Sequence, residues 1–149
     1  MSRGFTLIET LIVLAILALI IGIAMSAFGA FGRGQTLESG AAQVVALLGE
    51  ARSRTLASID DQAYGVHFTS DKAVLFQGAV YSEGASTNKE LLLGEELSIS
   101  AISLAGDGSD VVFERLTGKV AASGSITLLH SAATSTTIAI DESGIAYVE

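Results

Sequence analysis

Two histidines, His67 and His130, are the side chains best suited to acid–base work in this sequence, and four carboxylates, Asp107, Asp110, Asp141 and Glu142, are the ones best suited to a hard cation. Imidazole titrates near neutrality, so a histidine within reach of a nucleophile is a common start to a hydrolytic site. Here neither histidine is spaced to a serine in a way that makes it a general base. His67 alternates with Val66 and Phe68, which sets it on the polar side or edge of a strand, and His130 follows the end of another strand. Calcium needs several oxygens around one point. The four acids show no EF-hand spacing and read as short acidic turns. The Gly-Asp-Gly at 106–108 lacks the lysine and the following helix of a phosphate loop. With no cysteine in the chain, disulfides, thiolate catalysis and cysteine-held metals are all excluded. The expectation is therefore no enzyme, no metal and no cofactor.

Glu9 is a different kind of oddity. It stands at the mouth of an apolar run that continues without a charge to Arg33. A carboxylate is costly to bury unless paired, and an ionisable group in an apolar membrane segment is a functional suspect by default. The run exceeds the ~20 residues that cross a bilayer as a helix. Leu, Ile and Ala dominate it, which suits a helix apolar on every side. Two other readings compete. A buried core helix needs more protein around it than 149 residues supply. A cleaved secretory signal has a shorter apolar region, and Glu9 stands where that region should begin, although small residues around 24–27 offer an imaginable cleavage site.

The run RGFTLIE, Arg3 to Glu9, resembles the processing and methylation motif of the type IV pilin superfamily, which includes the pseudopilins of type II secretion. It combines a basic residue, a glycine, a phenylalanine, a short apolar link, a glutamate and an uninterrupted apolar helix. The resemblance implies that prepilin peptidase cuts between Gly4 and Phe5 and methylates the new amine of Phe5. A glycine at the junction gives the protease close access to the backbone. Glu9 matches the assembly glutamate, whose implied partner is the Phe5 amine of a neighbouring subunit. Two opposite charges in hydrocarbon are tolerable as a pair, and the pairing would fix axial register. The leader is short for that family, and Arg3 keeps it cytoplasmic by the positive-inside tendency, so everything beyond Arg33 lies outside the cytoplasm. The implied partners are other pilin or pseudopilin subunits, prepilin peptidase, the cytoplasmic membrane and an assembly platform.

The elements that must carry these residues follow from periodicity. Leu37, Ala41, Val44, Val45, Leu48, Ala51, Thr55 and Leu56 recur at three- and four-residue steps, an amphipathic stripe that prolongs the helix. Glu38, Glu50, Arg52 and Arg54 lie largely off it. Gly22, Ser26, Gly29, Gly32 and Gly34 weaken the middle, where many pilins have a proline and this chain, which has none, does not. Beyond about Ser58 short apolar runs alternate with turn residues, and strands are expected at 64–68, 73–76, 97–104, 111–113, 119–121, 125–129, 137–140 and 146–148. The expected fold class is α+β: a long N-terminal helix, half transmembrane and half amphipathic, packed on an antiparallel β-sheet head. The domains are a leader at 1–4, an assembly helix at 5–32, an amphipathic helix at 33–58 and a head at 59–149.

The order ARSRTLAS, YGVHF, KAVLF, VVFERLTGKV, GSITL and IAIDESGIAYV is similar to the head of H-type minor pseudopilins and FimT-like proteins. This is a looser pattern than the N-terminal motif. The chain thus reads as a minor pseudopilin or pilin, with a pilus-associated binding module, a DNA-uptake receptor or adhesin, as the alternative. The net charge of −8, from 16 acidic and 8 basic residues, and the presence of only Arg115 and Lys119 as bases beyond residue 100 count against nucleic acid as a partner.

Overall fold

A computed structural model describes residues 6–149, with side chains outside 26–33. Gly4 and Phe5 lie outside the described residues. One helix, α1, spans Leu7–Leu56, unbroken through the glycines, and a single 3-10 turn covers Ile59–Asp61. Eight strands follow: β1 Tyr64–Phe68, β2 Lys72–Gln77, β3 Lys89–Leu92, β4 Leu97–Leu104, β5 Asp110–Val112, β6 Gly124–His130, β7 Ser135–Ile140 and β8 Ala146–Val148. The chain divides into two compact units, one ending at Gly34 and the other spanning Gln35–Glu149. The fold class is α+β, as the sequence pattern implies.

In the second unit the strands form two antiparallel sheets of four, ordered β3-β2-β1-β5 and β4-β6-β7-β8. Two backbone bonds stitch the sheets together: Ile99 N–H to Ser70 O at 2.8 Å and Val120 N–H to Glu142 O at 3.2 Å. The stripe of α1 shares one core with residues of both sheets. Leu37, Ala41, Val44, Leu48, Ala51 and Thr55 are buried as the periodicity requires, Leu47 joins them, and Val45 is half-buried. Leu56, at the end of the stripe, is exposed instead. The strands contribute Tyr64, Val66, Phe68, Leu75, Ile126, Leu128 and Ile138 to the same core, and Phe113, just past β5, joins them. Gly40 lets β4 come close to the helix. A Cβ there would stand 2.5 Å from the Cδ1 of Leu97, so the first residue of β4 presses directly on the helix.

Two strand expectations need correction. The run at 119–121 is no strand; a single bridge, Phe113 to Val120, is all that forms there. Conversely β3, which pairs with β2 from Lys72–Leu92 to Leu75–Lys89, was not expected. Its residues are mostly exposed and include Lys89 and Glu90, so its sequence shows none of the alternation that marks a half-buried strand.

The outer face of the first sheet is covered as well. Val74 and Phe76 point away from the helix yet are buried. The long β2–β3 connection, residues 78–88, folds back over them through Tyr81, whose ring meets Phe76 edge-on at 5.6 Å. Gly65 leaves the room this needs, since a Cβ there would be 2.6 Å from the Phe76 ring.

Candidate functional site

The described N-terminal segment begins with a cap. Thr6 precedes α1, and its Oγ1 accepts the backbone N–H of Glu9 at 3.3 Å. This is half of a Thr-x-x-Glu capping box, in which the glutamate at the third helical position can reach back to the N-cap amide. Thr10 Oγ1 donates to the Leu7 carbonyl at 2.8 Å, so the other hydroxyl of this turn is also satisfied. Glu9 itself is exposed in the first turn, where its charge complements the positive end of the helix. Thr6 carries a role that the sequence reading above did not assign, although the Thr-x-x-Glu spacing was the signal for it.

From Leu7 to Met25 the helix has a mean hydropathy of 2.8, and no part of that window is buried. Leu7, Leu14, Leu19 and Ile23 are all more than half exposed, on every side of the helix. The buried-core-helix reading is thereby overturned. By length and composition the segment can cross a membrane. An apolar helix bare all round has to find hydrocarbon or other helices.

The head brings together only some of the residues with chemical potential. His67 does not point freely to solvent. Its Nδ1 lies 2.5 Å from Asp110 Oδ1 across the β1–β5 pair, and its ring stacks on Tyr81 at 3.9 Å with a 4° tilt. The pair holds a loop down. His130 ends β6 rather than following it, and is buried at 4% exposure. Its Nδ1 accepts the Ala132 N–H at 3.0 Å, which leaves the proton on Nε2, 3.5 Å from Glu96 Oε2. Both histidines serve the fold.

The acids are dispersed. Asp141 Oδ1 accepts the Ser143 N–H at 2.8 Å, the Ser143 hydroxyl at 2.5 Å and the Ile145 N–H at 3.1 Å, closing the β7–β8 turn. The Ser143 hydroxyl, with the Ile145 amide next, holds its carboxyl below the usual range. Asp110 is taken by His67, and Asp107 occupies a turn at φ 53°. No three His, Cys, Asp or Glu side chains converge on a metal position among the described residues. Five of the six described basic side chains are committed as well. Arg54 and Lys89 both bind Glu50, at 2.7 Å each, Lys72 binds Glu90 at 2.8 Å, and Arg115 binds Asp61. Arg52 Nε reaches the carbonyls of Gly118 and Ser143 at 3.3 and 3.4 Å. Lys119 has no ion pair among the described residues.

The family profile described as the prokaryotic N-terminal methylation motif matches residues 1–25. That motif is the prepilin signal of the type IV pilin class, and the match supports the pilin and pseudopilin superfamily. No curated protein and no solved structure matches the chain.

Proposed function

We propose that the chain is a structural subunit, a minor pseudopilin or pilin, of a type II secretion pseudopilus or a type IV pilus. The observation that carries this is an overlap: the methylation motif covers residues 1–25, and within it lies an apolar helix bare on all sides with one carboxylate at its start. Prepilin peptidase removes residues 1–4, cutting between Gly4 and Phe5, and methylates Phe5. The subunit waits in the cytoplasmic membrane on a single span within 5–32, its head outside the cytoplasm. During assembly Glu9 pairs with the Phe5 amine of a neighbour, which neutralises both charges away from water. The helix at 33–58 carries the head at 59–149, whose sequence pattern of glycines and apolar runs resembles that of H-type minor pseudopilins and FimT-like proteins. The subunit performs no reaction itself.

The acidic head, with Lys72, Lys89 and Arg115 held in ion pairs, supports a structural role over a DNA receptor, since phosphate binding needs clustered free Lys and Arg. Mass spectrometry of the mature N-terminus tests the processing. The expected protein begins with a methylated Phe5; one that begins at Met1, or is cut after Ala27, overturns the reading.

A further inference from the structure

β8 is bonded on one side only. It stands last in the sheet β4-β6-β7-β8 and pairs with β7, Ile140 to Ala146, Ala139 to Tyr147 and Ile138 to Val148. The ladder runs past both ends of the strand. Asp141 N–H donates to Ile145 O at 3.1 Å, and Glu149 N–H to Thr137 O at 2.9 Å. Antiparallel pairing alternates, so Ile145, Tyr147 and Glu149 aim their backbone groups at β7, and Ala146 and Val148 aim theirs outward. Neither of those two has a backbone partner on its outer side among the described residues.

The side chains show the same gap. Ile126, Ile138 and Val148 stand side by side across β6, β7 and β8, on the face turned to the core. Ile126 and Ile138 are fully buried, whereas Val148 is 46% exposed. The core row thus ends at β8 with an apolar side chain half in water. Natural sheets blunt their edges with charges, bulges or a covering segment. β3 carries Lys89 and Glu90, both in ion pairs, and β4 has a register shift between Ile99 and Ala101. β5 is short and is closed by the bridge of Phe113 to Val120. β8, Ala-Tyr-Val, has neither a charge nor a register shift.

Free donors and acceptors along a sheet edge recognise another extended backbone, and side chains at alternate positions set the choice. We infer that β8 takes up an extended segment of a different protein, which adds a strand to this sheet, covers Val148 with an apolar side chain and carries lysine or arginine at its ends. Asp141 and Glu142 precede the strand and Glu149 follows it. Two bases approach the turn at 141–143: Arg52 is spent on the Ser143 carbonyl, and Lys119 shares a cavity with Glu114 and Glu142. None of the four strands of this sheet contains Lys or Arg, so the edge is acidic at its ends. A second copy of β8 would bring the same three carboxylates to the contact, which favours another protein as occupant. The inference stands apart from the filament reading, since the edge is open in the single subunit.

The probe is a fluorescent synthetic peptide of alternating valine and threonine with lysines at both ends, added to the full-length protein in detergent. Anisotropy should show binding that weakens as salt rises. At about ten times its Kd the peptide should slow hydrogen exchange at Ala146 and Val148 about tenfold, while amides at 41–51 exchange as before. The same peptide methylated on its backbone nitrogens should not bind, and one with glutamates at its ends should bind about tenfold more weakly at low salt. Val148→Pro removes an outward N–H that makes no ladder bond, so it should melt as the native protein does yet lose the peptide. Val148→Thr should keep it. No binding, or binding without slower exchange at Ala146 and Val148, overturns the inference. Equal binding of the methylated peptide, or undiminished binding to Val148→Pro, does so too. Equal or tighter binding of the glutamate-ended peptide overturns the basic partner. Slow exchange at Ala146 and Val148 in the protein alone, quickening on dilution, makes a second copy the occupant and overturns the assignment to another protein.

Discussion

The hydroxyl of Thr55 accepts the backbone N–H of Tyr64 at 3.0 Å and donates to the carbonyl of Ala51 at 2.9 Å. Thr55 is completely buried. The last turn of the long helix therefore holds the first residue of the first strand, across a turn in which Ser58, Asp60 and Asp61 all have positive φ. Replacing Thr55 by valine keeps the shape but leaves the Tyr64 amide unpaired in the core, a loss of about 1–3 kcal/mol. Thermal unfolding of the detergent-solubilised protein should show a lower midpoint for Thr55→Val and near-recovery for Thr55→Ser. Equal midpoints for the valine variant and the native protein would remove the bond from the account.

That contact also marks where the sequence stops being informative. The stripe from Leu37 to Thr55 announces a buried helical face, because 3.6-residue periodicity is a local property. β1, β2 and β4 are legible for the same reason, each showing alternation or a compact apolar run between turns. β3 is not, because it is held by backbone pairing to β2 while its side chains stay mostly outside. The run at 119–121 is apolar enough for a strand, but the turn at 114–119 leaves Val120 a single bridge to Phe113. His67 and Asp110 are 43 residues apart, and no spacing rule carries such a contact. The N-terminal motif was readable because its chemistry is written in consecutive residues.

Glu50 clamps the helix to β3. One oxygen binds Arg54 and the other Lys89, both at 2.7 Å, and the Lys89 hydrogen bond foremost lowers its pKa. A carboxyl depressed in the folded state contributes stability that is present above its unfolded value, about 4.3. That contribution is lost as pH falls through the folded value. Glu50→Gln should therefore cost about 0.5–1 kcal/mol at neutral pH and nothing at pH well below the carboxylate range. Melting midpoints of the two proteins, measured from neutral to acid, should converge. A constant gap at all pH values would assign the effect to packing instead of charge.

Tyr81 acts as a latch for residues 78–88. It stacks on His67 and meets Phe76, covering a sheet face that would otherwise be open to water. Aromatic contacts of this kind are worth of order 1 kcal/mol. Tyr81→Ala should raise hydrogen-exchange rates across residues 78–88 and at Phe76, while amides of the helix at 41–51 exchange as before. Uniformly faster exchange throughout the head would mean that the loop belongs to the same cooperative unit as the core.

The N-terminal turn separates two roles for Glu9 that a deletion would confuse. Its backbone N–H is held by Thr6, and its side chain is suited to cap the helix start. Glutamine caps almost as well as glutamate, but it carries no charge. If Glu9 works by pairing with the amine of a neighbouring Phe5, Glu9→Gln and Glu9→Ala should insert and be processed normally, yet both fail to assemble. If the cap is what matters, Glu9→Gln should assemble like the native protein and only Glu9→Ala should fail, with Thr6→Val failing alongside it. Counting filaments by electron microscopy for these three variants, with the processed fraction measured in parallel, distinguishes the two. An uncharged residue also inserts into hydrocarbon more readily than a carboxylate, so reduced membrane insertion cannot account for lost filaments in the glutamine variant. Filaments at native abundance from Glu9→Gln would leave the charge pair without a role.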